Sequence, residues 1–121
     1  MKIRILNDAV RLRLDRDEVE AIARGETVEG ATRFVDSDVF SYCLAPGDVS
    51  TPVAAFRNGR LTVTVPARDA TRWANDETAV SISGEHGATS LLIEKDFECL
   101  DPRVGEDQSN RFRNPSGFTR P

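Results

Sequence analysis

Four basic residues, placed at alternate positions, form the most unusual charged group in this sequence. Lys2 and Arg4 alternate with apolar residues near the start of the chain, and Arg11 and Arg13 do the same a few residues later. Alternation with a period of two puts each pair on one face of a β-strand. Antiparallel pairing of the two strands sets like charges opposite each other, which is destabilising. We therefore predict that an acidic group lies against this basic face.

Acidic groups from inside or outside the chain could neutralise the basic face. Glu94 and Asp96, at the end of the last apolar run, would do so internally. The acidic pair Glu106 and Asp107 in the tail would act in the same way. An anionic ligand, a nucleic-acid phosphate or an acidic partner would do so from outside. We favour internal pairing and keep an anion or partner site as the functional alternative for Lys2, Arg4, Arg11 and Arg13.

A second charged group ends the last apolar run, where Glu94, Lys95 and Asp96 precede Cys99. Carboxylates serve as general acids and bases, and a thiol becomes a nucleophile when a nearby cation lowers its pKa. Glu94, Asp96 and Cys99 are therefore a candidate polar site. Only Lys95 is close to Cys99 in sequence, so a buried structural thiol is the favoured role for this cysteine. Cys43 is also interpreted as a thiol, since two cysteines are too few for a disulfide framework.

His86 is the sole histidine of the sequence, which excludes a histidine-based triad or a multi-histidine metal site within one chain. It lies in a turn flanked by glycines and is predicted to be an exposed turn residue. The acidic pair Asp36 and Asp38 is typical of a turn and does not fit a calcium loop. The sequence has no glycine-rich phosphate loop, no G-x-S-x-G and no H-E-x-x-H. We predict no metal and no cofactor, and these absences favour a protein that is not an enzyme.

Length and composition bound the class of protein. With 121 residues, 39% of them hydrophobic and 30% charged, the chain fits one soluble domain. A net charge of −4 argues against strong non-specific nucleic-acid binding, which depends on clustered Lys and Arg. No apolar run approaches the ~20 residues that span a bilayer, and the first residues lack the apolar core of a secretory signal. We expect a cytoplasmic protein.

Two β-hairpins, each followed by a helix, must position these groups. Asn58-Gly59 joins two alternating runs and predicts a type I′ turn, and Asn7-Asp8 joins two similar runs. The first hairpin puts an apolar face toward the core, formed by Ile3, Ile5, Val10, Leu12 and Leu14. Asp15 with Glu18 has the spacing of a capping box and predicts a helix over about residues 16–24. Its stripe is Val19, Ile22 and Ala23, and the second helix, after Pro66, has Ala70, Trp73 and Ala74.

Each helix is followed by two further predicted strands. After the first helix these are residues 27–35 and 39–44, joined by a turn at 36–38, and residues 45–52 form a connection rich in turn formers. After the second helix they are residues 79–83 and 90–94, joined by the turn at 84–87. The order ββαββ therefore occurs twice.

The two units align without a gap when residue numbers differ by 51, as for Asn7 and Asn58. Turn, face, helix start and helix stripe agree, which favours an internal duplication over coincidence. We predict an α+β fold, mainly β, in which duplicated ββαββ units form a pseudo-twofold β-barrel or sandwich with two short helices. The globular domain covers residues 1–100, with repeats at about 1–45 and 52–97, and residues 101–121 are an irregular polar tail.

The segment NGRLTVTVPARDATRWA, with the two strands after it, resembles the AbrB and MazE-like swapped-hairpin domain. In that family a glycine-containing hairpin passes through a Val-x-Ile-Pro pattern into a helix and two more strands, and two units form an intertwined barrel. The resemblance covers residues 53–95. It implies, as an alternative function, DNA binding through basic residues, here Arg57, Arg60 and Arg68. The first unit has Asp15 where the family pattern has proline.

The whole chain looks like a small bacterial family of uncharacterised proteins of unknown function. This resemblance rests on MKIRI followed by VRLRL, on VPARDATRWAND, and on LLIEKDFECLD with a later Glu-Asp and Asn-Pro. It implies no activity.

These observations favour a non-enzymatic binding or regulatory module that associates with itself. An enzyme or small-ligand protein with a site between the two halves is the first alternative, and it would use Glu94, Asp96 or Cys99 with the arginines of the first hairpin. A DNA-binding regulator is the second. An acidic partner or anion fits the basic face, nucleic acid is a weaker expectation, and no membrane partner is expected.

Overall fold

A computed structural model describes residues 1–97 and residue 112. The fold is α+β and mainly β, with eight strands and two helices in the described part. The elements are β1 (Lys2–Leu6), β2 (Ala9–Leu14), α1 (Arg16–Ala23), β3 (Val28–Arg33), β4 (Val39–Gly47), β5 (Val53–Arg57), β6 (Arg60–Pro66), α2 (Ala67–Asn75), β7 (Ser81–His86) and β8 (Thr89–Lys95). Neither helix is long and apolar enough to cross a membrane.

Both predicted hairpins form in the predicted register. β1 pairs with β2 so that Lys2 faces Arg13, and β5 pairs with β6 so that Phe56 faces Leu61. Asn58 and Gly59 have φ of 51° and 74°, which confirms positive φ at both central residues of a type I′ turn. In the first hairpin only Asn7 has positive φ, at 53°. The two turns therefore differ although the two registers agree.

The first helix begins as its capping signal predicts. Asp15 accepts a hydrogen bond from the Glu18 backbone N–H at 3.0 Å, and the Glu18 side chain accepts one from the Asp15 N–H at 3.0 Å. The charged N-terminus of Met1 also contacts the Glu18 carboxylate. The second helix starts directly after Pro66 without a side-chain cap. Its first turn relies on the fixed φ of proline and on tertiary packing.

The strands form two four-stranded sheets. The first sheet has the order β1-β2-β8-β7 and the second sheet has the order β3-β4-β6-β5. In each, a hairpin from the first half of the chain pairs with one from the second half through a parallel central pair, β2 with β8 or β4 with β6. One core joins both sheets and both helices, and its fully buried members include Leu12, Leu14, Ile22, Leu44, Val63, Val65, Trp73 and Ile93.

The two sheets meet along a seam between the edge strands β5 and β7. His86 Nδ1 lies 2.9 Å from the carbonyl oxygen of Ala54, and a Cβ placed on Gly84 would lie 2.8 Å from Pro52 Cδ. Both contacts advance by two residues in the same direction, so β5 and β7 run parallel here. In the described residues, β5 and β7 contact each other here but form no β-ladder of backbone hydrogen bonds. Of the predicted β-barrel or sandwich, the barrel is therefore wrong, because no ladder joins the two sheets within the described residues.

The direction of these strands divides the molecule into two ends. β5 and β7 both run toward their turns, so the turns of both sheets lie at one end, here called the turn end. The helices follow β2 and β6 at the opposite end, the helix end, where α1 packs against α2. This division decides where the candidate functional residues lie.

Four local predictions are corrected. β4 continues to Gly47, because residues 45–47 pair with β6, so the connection begins later than predicted. The β7–β8 turn lies at residues 87–88, which places His86 at the end of β7. Ile5 has the predicted inward parity but is 54% exposed, since it lies beyond the last core layer at the turn end. Ala23 is exposed at the last position of α1, where the helix has already left the core.

Candidate functional site

The basic face of the first hairpin contacts a carboxylate on the neighbouring strand. Parallel pairing of β2 with β8 puts Glu94 directly beside Arg13. One Glu94 oxygen, Oε1, accepts from Arg11 Nη2 at 2.8 Å and from Arg13 Nε at 2.9 Å. The Glu94 side chain is 12% exposed, so these charge-assisted bonds are only partly screened by water.

A second carboxylate lies against the same face. Lys2 Nζ is 3.1 Å from Asp96 Oδ2, and the Asp96 side chain is 10% exposed. Arg4 is exposed and forms no ion pair with another described residue. Arg11 Nε is buried without a hydrogen-bond partner in the described structure, although its Nη2 is bonded to Glu94. We name Lys2, Arg4, Arg11, Arg13, Glu94 and Asp96 the ionic cluster.

The ionic cluster fits the internal pairing that the sequence predicts. Among the described residues, four cations meet two carboxylates, and three of the cations form ion pairs. Glu94 and Asp96 therefore act as counter-ions of the first hairpin. Cys99, the third member of the candidate polar site, lies outside the described residues, as does the acidic pair Glu106 and Asp107. Anion or partner binding at this face stays a prediction.

Lys95 is a buried cation that is not among the candidate site residues predicted from the sequence. It is 2% exposed, and its Nζ donates a hydrogen bond at 3.0 Å to the carbonyl oxygen of Asp76, the C-cap residue of α2. The same Nζ lies 6.0 Å from the ring centroid of Trp73 and 5.2 Å from that of Phe112. Burial lowers the pKa of Lys95, against the opposing charges of Asp76 and Glu77. The sequence does contain an indication of this burial, because Lys95 lies two residues after Ile93 and therefore on the same, inward face of the strand.

Phe112 returns to the helix end of the first sheet. Its backbone N–H donates to the carbonyl oxygen of Asp96 at 2.8 Å, and it forms a parallel β-bridge with Phe97. The two rings meet edge to face with centroids 6.1 Å apart. The Arg16 guanidinium carbon lies 5.2 Å from the Phe112 ring centroid, the same distance as Lys95 Nζ. Two cations and the Phe97 ring therefore surround the Phe112 ring.

A shallow concavity of about 270 Å³ lies between α2 and β7. Its lining residues are Asp69, Arg72, Trp73, Ala79, Ser81, Ile82 and Ser83. None of the predicted polar-site residues lines it. In the described part of the chain, no three His, Cys, Asp or Glu side chains are grouped closely enough to hold a metal ion.

The turn end carries an apolar surface that we name the apolar rim. In the described structure, seven large apolar side chains are exposed, and all except Val80 lie at this end. Phe56, 61% exposed, stands 6.3 Å from the ring of Phe40, which in turn lies 5.8 Å from Tyr42. The rim consists of Ile5, Leu6, Phe34, Val35, Val39 and Phe56. The candidate residues predicted from the sequence were chosen for their charges, so this apolar surface was not predicted.

Comparison with known proteins identifies a family. A family model with the description "Family of unknown function (DUF7009)" matches residues 1–116, so the chain belongs to this family. This confirms the predicted resemblance to a small uncharacterised family. No curated protein and no solved structure matches the chain. The resemblance to the AbrB and MazE-like domain gains no support from these comparisons.

Proposed function

We propose that this member of the DUF7009 family is a non-enzymatic binding module that associates with a second copy of itself through the apolar rim. One observation carries the proposal: six of the seven exposed large apolar side chains in the described structure are gathered at the turn end. Exposed apolar residues scattered over a surface are normal, whereas several of them at one end of a molecule favour a site of association there. Burying these aromatic and aliphatic side chains is the main gain that such a contact offers.

Charges around the rim favour a second copy as the occupant. Exposed carboxylates of Asp8, Asp36 and Asp38 stand at the turns, and the exposed guanidinium groups of Arg33 and Arg57 lie on the adjoining strands. A surface that carries both signs can pair with its own copy across a twofold axis, where each residue meets a different residue of the partner. A single-sign partner such as nucleic acid would meet repulsion from the turn carboxylates.

Two alternatives from the sequence have weaker support. An enzyme site between the halves would need Glu94 or Asp96 in a cavity, but both are engaged with cations of the first hairpin. DNA binding would need uncompensated positive charge, and three of the four basic residues of that hairpin already have carboxylate partners.

We also propose that the fold arose by internal duplication. Exchanging the strands of the two halves converts the order β1-β2-β8-β7 into β5-β6-β4-β3, which is the second sheet read backwards. The pairing of β1 with β2 repeats in β5 and β6 at residue numbers that differ by 51. Superposition of residues 2–23 on 53–74 tests this proposal, and a mismatch of the helix starts would contradict it.

The self-association proposal is tested by exchanging rim phenylalanines for serine. We expect the wild-type chain to be a dimer in sedimentation equilibrium at micromolar concentration. Phe34→Ser combined with Phe56→Ser should weaken dimerisation by at least about tenfold, since each lost apolar contact is worth about 1 kcal/mol or more. Val80→Ser is the matched control, because Val80 is exposed at the other end.

The outcomes separate the occupants of the rim. A wild-type chain that stays monomeric at about 100 μM, well above the micromolar affinities of ordinary specific dimers, would overturn self-association. Rim variants of such a monomer that unfold more easily would indicate that the chain covers its own rim. A dimer that is weakened equally by Val80→Ser would place the interface elsewhere.

A further inference from the structure

A slot for one aromatic side chain lies at the helix end, and it is independent of the apolar rim. Its walls are the Phe97 ring and the charged ends of Arg16 and Lys95, both 5.2 Å from the centre of the Phe112 ring. Its backbone contact is the carbonyl oxygen of Asp96, which accepts the Phe112 N–H at 2.8 Å. Ring and backbone of the occupant are thus both recognised.

The chemistry of the slot selects an aromatic residue on an extended segment. Cations near an aromatic ring are attracted by its quadrupole, and this attraction is stronger where water is excluded, as it is at Lys95. An aliphatic side chain would fill the same space without this attraction. The parallel bridge to Phe97 requires a strand-like backbone, which is the contact that an added β-strand makes.

We propose that this slot is a binding site for a phenylalanine on an extended peptide segment, that Phe112 of this chain is its resident occupant, and that the occupant controls the access of water to the Lys95 amine. The Phe112 ring and Trp73 flank Lys95 Nζ, which donates a hydrogen bond to the carbonyl oxygen of Asp76, the C-cap residue of α2. Release of Phe112 opens one side of this environment. The amine then becomes accessible to solvent and to any molecule in the emptied slot.

The sequence supplies a clean probe for this proposal because it contains only two lysines. The Lys2 side chain is 59% exposed, whereas Lys95 is 2% exposed. Limited acetylation followed by mass spectrometry measures both rates in one sample. In the wild-type protein Lys95 should react at least about tenfold more slowly than Lys2, the protection expected when reaction needs local opening. In Phe112→Ala the two rates should approach each other.

Three measurements guard this result. Circular dichroism must show that Phe112→Ala is folded, and Thr32→Ala, which truncates an exposed side chain on β3, should leave Lys95 protected. Arg16→Gln keeps Phe112 but removes one cation, so it should give an intermediate rate. Unchanged protection of Lys95 in folded Phe112→Ala would overturn the proposal.

A peptide added in trans tests the slot itself. An acetylated peptide of residues 109–115 should slow the acetylation of Lys95 in the Phe112→Ala protein at about millimolar concentration, the affinity expected of one anchor residue. The same peptide with alanine at position 112 should have no effect. Failure of the phenylalanine peptide would overturn the slot as a peptide site. Wild-type protection that is lost on dilution would overturn the assignment of the chain's own Phe112 as occupant.

Discussion

The outward faces of the two sheets occupy the same positions of one framework but carry opposite chemistry. The first sheet presents the ionic cluster, in which Arg13 lies beside Glu94. In the second sheet the corresponding neighbours are Thr64 and Ala45. The next inward-facing layers are alike, since Leu44 and Ile93 are both fully buried. The inward-facing residues therefore define the common framework. The outward-facing residues differ between the sheets, and they differ on both neighbouring strands at once.

The ionic cluster behaves as one unit for this reason. An arginine on β2 beside an alanine would be partly buried without a counter-ion, which is destabilising. A glutamate on β8 beside a threonine would be destabilising for the same reason. A change on one strand therefore requires a change on the next. Four predictions test this comparison, and they begin with the shared core.

Truncation of the shared core should have the largest effect and should be the same in both sheets. Ile93→Ala and Leu44→Ala should each lower the free energy of unfolding by about 2–5 kcal/mol, because each leaves a cavity at a fully buried position. Urea denaturation measures both. A loss of less than about 1 kcal/mol in one variant, beside a loss within the expected range in the other, would show that the two sheets do not share an equivalent framework.

Removal of Glu94 should have the next largest effect. Glu94→Ala leaves Arg11 and Arg13 without this shared acceptor, and we expect a loss of about 2 kcal/mol in the free energy of unfolding, measured with urea. Ala45→Ser, at the corresponding position of the second sheet, is the control for disturbance of a central strand.

The variant that tests the comparison most directly replaces three charged residues of the first sheet by the residues at the corresponding positions of the second. Arg11→Thr, Arg13→Thr and Glu94→Ala together give the residues that the second sheet has at Thr62, Thr64 and Ala45. This triple variant should be within about 1 kcal/mol of the wild type, since the mutually bonded charges of Arg11, Arg13 and Glu94 are removed together. Additive losses in the triple variant would break the comparison.

The smallest effect is a pH dependence from Lys95, whose counterpart in the second sheet is Pro46. Burial lowers the pKa of Lys95 in the folded protein below its ordinary value of 10.5. Between these two pKa values the unfolded chain binds more protons, so stability rises with pH. The wild type should therefore gain stability relative to Lys95→Met as the pH rises from the lowered pKa toward 10.5.

Thermal unfolding across this pH window measures the trend. Lys2→Met is the matched control, because it removes an exposed lysine and separates the trend from the loss of a positive charge. A constant difference between wild type and Lys95→Met would contradict the buried-amine explanation.

Local features of the fold could be predicted from the sequence because each rests on a few neighbouring residues. Asn58-Gly59 determines its turn, Asp15 and Glu18 determine the start of α1, and alternation determines which side of β2 is buried. Even the contact of Glu94 with the basic face could be anticipated, because unpaired like charges demand a counter-ion.

Features that depend on distant pairing could not be predicted. Alternation shows that Lys95 faces inward, but it does not show that its amine contacts the carbonyl oxygen of Asp76 and the ring of Phe112. Turn-forming residues 45–47 look like a loop until parallel pairing with β6 supplies their hydrogen bonds. The apolar rim emerges only when β5 and β7 are seen to run in the same direction.

The parallel pairing of β2 with β8 has a consequence for how the protein is made. Ala9 pairs with Ser90, so the first hairpin cannot pair with β8 until nearly the whole described chain has left the ribosome. At about 5–20 residues per second this wait is several seconds, during which β2 has an unpaired edge. Synthesis stalled before β8 therefore leaves the first hairpin with an unpaired strand edge. The first sheet is completed late in synthesis, whereas the second sheet needs no residue beyond Pro66.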